Sequence, residues 1–207
     1  MAENLTRPRL RTPRAAGIAG IVFSLLLSAS VVLIRLANGD EADAAGTKQT
    51  LILGLNLVPF AGIAFLWFIG VVRDRIGQFE DRFFATVFLG SGLLFLAMLF
   101  TTAAIGGGIV VSARSSSDPL VTFGKQITYA IMNVYAMKMA GVFMISTSTI
   151  LLRTSVLSRW LTYLGYVFAL VLLITLTLWE WIILLFPLWI LLLSIDILLT
   201  GQRVSRV

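Results

Sequence analysis

Between Gln126 and Leu152 the chain reads QITYAIMNVYAMKMAGVFMISTSTILL, with a lysine, Lys138, at its middle. About 20 predominantly apolar residues suffice for a helix to cross the hydrocarbon of a bilayer, so this stretch is long enough to span. An ammonium at mid-membrane depth costs about 2.5–3.5 kcal/mol on insertion scales. The other long apolar runs are free of charge through their centres. Whatever compensates Lys138 therefore orders the helices around it.

Apolar residues make up 58% of the 207, and charged residues 13%. A soluble domain carries about 25% charged residues. The apolar residues also come in long blocks, which is the membrane pattern and leaves no part of the chain for a separate soluble domain. The formal charge of +6 could suggest nucleic acid, but the arginines sit in short segments between apolar runs. There they read as orientation signals and contacts to anionic lipid headgroups, and nucleic acid is not an expected partner. Cysteine and histidine are both absent. That removes disulfides, thiolate nucleophiles, cysteine or histidine metal sites and histidine general bases. No cofactor, metal site or catalytic residue is expected.

The hydropathy pattern predicts an all-α polytopic membrane protein, a bundle of six transmembrane helices behind a basic tail, 1–14. The spans fall at about 15–36, 50–72, 83–111, 126–152, 160–178 and 182–200, followed by a second tail, 201–207. The first follows arginines, as a signal peptide would, yet its apolar core outlasts the usual 7–15 residues and no cleavage site ends it. The last 41 residues of apolar sequence, Trp160–Thr200, are twice a single span. Trp179-Glu180-Trp181 divides them, and two tryptophans around a carboxylate suit a hairpin at headgroup level. Six spans place both termini on one side, together with Arg73, Arg75, Arg82, Arg153 and Arg159. The positive-inside rule makes that side the cytoplasm, in a cytoplasmic (inner or plasma) membrane.

Lys138 lies about 18 Å from the start of the fourth span and Asp196 about 21 Å from the start of the sixth, which enters from the same face. They are the one base and one acid well inside the hydrocarbon. An intramembrane Lys138–Asp196 pair is thus the economical expectation, either a clamp between helices or a proton relay, ion gate or substrate counter-ion. Tyr135, Gly141 and Ile145 share the face of Lys138, while Asn133 points about 140° away. Asn56 and Pro59 in the second span mark a point where a helix can open and offer its carbonyls. Pro187 is a further helix-break candidate. Met132, Met137, Met139 and Met144 lie on two different faces and read as adaptable packing. Gly106-Gly107-Gly108 reads as a frayed helix end. Gly17, Gly20, Gly90, Ala97 and Ala104 offer small faces for close helix packing.

These features point to a non-enzymatic protein: a small solute or ion pathway, or a small subunit of a membrane complex, built around the Lys138–Asp196 pair. Its expected partners are the bilayer and either a second copy or a membrane-complex protein. The alternative is a membrane-embedded enzyme acting on lipid, with Lys138 as base beside Ser146 or Ser148.

Overall fold

Inside a bilayer each backbone N–H and C=O must be satisfied within the protein, and helices do this locally. The computed structural model describes residues 13–37, 44–76, 82–112, 119–154, 158–174 and 180–204, and all of them except Ser158 are helical. Helix α1 is Pro13–Ala37, α2 Ala44–Ile76 and α3 Arg82–Ser112. Helix α4, Pro119–Ala130, passes through a π-helical segment, Ile131–Ala136, into α5, Met137–Thr154. Helix α6 is Arg159–Ile174, and a 3₁₀ turn at Glu180–Leu184 leads into α7, Leu185–Val204. Five helical stretches are long and apolar enough to cross a membrane: Ala15–Ala37, Gly46–Arg73, Phe83–Ser112, Pro119–Arg153 and Trp181–Thr200.

Several boundaries differ from the hydropathy pattern. Helix α2 begins before Thr50, whose hydroxyl donates to the Gly46 carbonyl at 2.9 Å. Helix α4 begins at Pro119, where a proline lacks only an N–H that no helix would use and brings a fixed helical φ. Gly106-Gly107-Gly108 is not a frayed end, because α3 continues to Ser112. Pro59 does not open α2, which runs through it unbroken with the ring facing outward. Pro187 breaks nothing either: it is the third residue of α7, where the 3₁₀ turn passes into α-helix that runs on to Val204. Trp179 lies outside the described residues.

The helices pack in the ring order α1, α2, α3, α5, α6, α7 and back to α1. Phenylalanines fill its centre. Phe65 of α2 lies 4.6 Å from Phe23 of α1, 5.5 Å from Phe95 of α3, 5.3 Å from Phe143 of α5 and 5.7 Å from Phe186 of α7, centroid to centroid. All five rings are fully buried. Such pairs add about 0.5–1.5 kcal/mol each beyond their buried area. Met98, Met132, Met137, Met139 and Met144 pack in or against the same cluster. Helix α6 adds Leu161, Ala169 and Leu172 to the core, with Phe168 packed against it.

Between apolar helices in lipid, close approach supplies the attraction, and small residues permit it. Gly17 and Gly20 of α1 lie against Leu198 and Ser194 of α7, as their pattern predicts. Gly90, Ala97 and Ala104 behave otherwise: no heavy atom from elsewhere comes within 4 Å of where a Gly90 Cβ would be, and both alanines are exposed. Ser148 and Ser194 are fully buried, and their hydroxyls have no hydrogen-bond partner among the described residues. A buried donor without an acceptor costs about 1–3 kcal/mol. Ser148→Ala and Ser194→Ala should each raise the midpoint of thermal unfolding in detergent. A fall would mean that the hydroxyls have partners.

Candidate functional site

The 16 described residues of α6 rise about 24 Å. Near their far end the Lys138 ammonium of α5 donates to the Leu172 carbonyl at 3.0 Å and to the Leu173 carbonyl beside it. A helix carbonyl keeps a second lone pair for such a donor, and in a bilayer no water competes for it. The approach is possible because Gly141, one turn along α5, lets α6 come close; a Cβ there would sit 3.2 Å from the Ala169 carbonyl oxygen. The other end of α6 is finished by a carboxylate. Asp196 accepts from the Ser158 N–H at 3.1 Å and from its hydroxyl at 3.0 Å.

The expected Lys138–Asp196 contact is therefore not formed. The two charges hold opposite ends of one helix, about 21 Å apart along its axis by the rise from Ser158 to Leu172. Their signs suit those ends, since a helix N-terminus favours an anion and a C-terminus a cation. Two more bonds fasten α6 along its length. The Trp189 indole donates to the Leu161 carbonyl at 3.2 Å, and the hydroxyls of Thr149 and Tyr166 lie 2.7 Å apart. These polar contacts add to the apolar packing of α6, whose Leu161, Ala169 and Leu172 are buried in the common core.

The remaining sequence candidates do not converge on this site. Tyr135 is 58% exposed and faces away from the bundle. Asn56 is exposed, like Pro59. Ser146 donates to its own helix, at Val142 and Phe143, so it is not arrayed with Lys138 as a nucleophile and base. Asn133 bonds the Tyr129 carbonyl at 3.0 Å and belongs to a different place.

That place is a cavity of about 620 Å³ among α1, α2, α3, α4, the π segment and the 3₁₀ turn. Its floor is apolar. Leu27, Val58, Leu99 and Met132 lie there, all buried. Leu27 and Leu99 are one helical turn from Phe23 and Phe95, so the phenylalanine cluster closes the cavity below. At its shallow end stand Arg35 and Lys125, with Trp181 and Tyr129 exposed between bundle and surroundings. The Arg35 guanidinium lies 5.6 Å from the centroid of the Trp181 ring. Thr102, Thr128 and Asn133 are further polar residues of the wall, and no carboxylate is among the described residues lining it. Sequence reasoning missed this grouping because its members come from five separated stretches. The one available signal was the position of Arg35, Lys125 and Trp181 at the same ends of their spans.

Comparison of the chain with protein-family models, with curated proteins and with solved structures finds no match. The fold and site define a helical, membrane-embedded protein with a largely apolar cavity that has two cationic side chains in its lining.

Proposed function

We propose that the protein is a non-enzymatic membrane protein of six spans that takes a small solute into its cavity from the non-cytoplasmic side. The cavity carries this reading: it has the size of a small-molecule site, apolar with a few polar groups at one end. Helix α6 is the fifth of the six spans, held near each end by a charged side chain. Lys138 and Asp196 act in this reading as structural caps and not as a proton relay. Both termini lie in the cytoplasm, on the strength of the arginines of the tails and of 73–82 and 153–159. The mouth beside Arg35 and Trp181 then faces outward.

The cysteine-free chain allows a direct test of sidedness. Single cysteines at positions 43 and 103 should react with a membrane-impermeant maleimide in intact cells, and cysteines at 78 and 156 only after lysis. Labelling at 43 only after lysis would invert the topology. Labelling at 43 but never at 103, even in the purified folded protein, would remove the solute path into the cavity.

A further inference from the structure

We infer that the ligand of the cavity is an anionic amphiphile of fatty-acid type, with an acyl chain of about ten carbons. This rests on the cavity being a solute site and adds the chemistry of the solute. The walls are graded along the membrane normal. On α1 the lining runs from Leu27 at the floor to Arg35 at the rim, and on the α4 side from Met132 to Lys125. Seven or eight helical residues rise about 11–12 Å, so both cations stand at one level, roughly that far above the apolar floor.

A small hydrophilic anion would meet the cations and gain nothing from the apolar well beneath them. A neutral apolar molecule would fill the well and leave the charged rim unused. An acyl chain ending in an anion satisfies both, with its tail among Leu27, Val31, Leu55, Val58, Leu99 and Met132 and its head between Lys125 and Arg35. Trp181 at the rim is the residue type favoured at the headgroup level of a membrane. An amphiphile partitioned into that leaflet therefore already holds its head at the depth of the cations.

The test uses the full chain in nanodiscs of zwitterionic lipid, with empty nanodiscs as the partition blank. Radiolabelled decanoate, whose extended chain matches the rise from floor to rim, should bind saturably, whereas decanol should bind about tenfold or more weaker, the worth of one charge-assisted contact. Decyltrimethylammonium should not compete. Lys125→Glu, a change at an exposed side chain, should weaken decanoate about tenfold and abolish its advantage over decanol. Ala103→Phe, which fills the well, should abolish binding of both. Equal binding of decanoate and decanol, lost in Ala103→Phe, would overturn the anionic class while leaving the cavity a solute site. No saturable binding of either by a chain of unchanged melting temperature would overturn both readings. Decanoate binding unaltered by both substitutions would put the amphiphile elsewhere and sink the inference.

Discussion

Replacing Lys138 by Met and Asp196 by Leu in one chain should lose the sum of what each single replacement loses. Lys138→Met leaves the Leu172 and Leu173 carbonyls at the end of α6 without their ammonium. A hydrogen bond to a charged group is worth about 1.5–3 kcal/mol, so a loss of about 2–3 kcal/mol is expected. Asp196→Leu removes the acceptor of two Ser158 donors and an anion from a helix N-terminus, a loss of about 2 kcal/mol. Sites this far apart with no shared partner add to within about 0.5 kcal/mol. Unfolding of the wild type, the two single variants and the double variant in detergent measures the coupling. Were the two residues a buried ion pair, each single change would strand a charge at about 3–5 kcal/mol and the double would recover much of it. A recovery of that kind would overturn the assignment of separate caps. Lys138→Arg, which keeps donors and charge, should lose less than Lys138→Met.

Gly165→Ala should destabilise the fold by about 1–3 kcal/mol, the usual cost of overpacking. A Cβ at Gly165 would lie 2.3 Å from the Ser148 hydroxyl oxygen and 2.8 Å from Trp189 Nε1. The serine can rotate. The indole has no such freedom, because it is fully buried and bonded to the Leu161 carbonyl. Adding Ser148→Ala should therefore recover only part of the loss. Gly107→Ala is the control, in open space on α3, and should be neutral or stabilising by up to about 1 kcal/mol through helix propensity. Thermal unfolding of the wild type and the three variants ranks them. Equal behaviour of Gly165→Ala and Gly107→Ala would show that α6 does not pack against α5 and α7 at this closeness.

Membrane embedding and helicity were legible because both are local. Long apolar blocks require self-satisfied backbones whatever their neighbours, and the first three spans appear within a few residues of their predicted ends. Gly17 and Gly20 were legible as a close-packing face for the same reason: smallness needs no partner to be seen. Gly90, Ala97 and Ala104 show where that inference stops, since a small residue permits an approach without causing one. Pro59 and Pro187 stop it too, the one borne within an intact helix and the other seated in a first turn.

The sequence by itself determined that Lys138 and Asp196 are buried-membrane charges needing partners, because insertion energy depends on depth and depth follows from the span. Only the tertiary structure decided who those partners are. Equal counted depths suggested a direct contact. The packed helices set Lys138 level with Leu172 and Asp196 level with Ser158, so residues counted from the span ends do not give a shared depth. Each charge meets the groups of α6 nearest to it. The cavity likewise exists only after folding, since its cations and its apolar floor come from helices whose adjacency no stretch of the chain encodes alone.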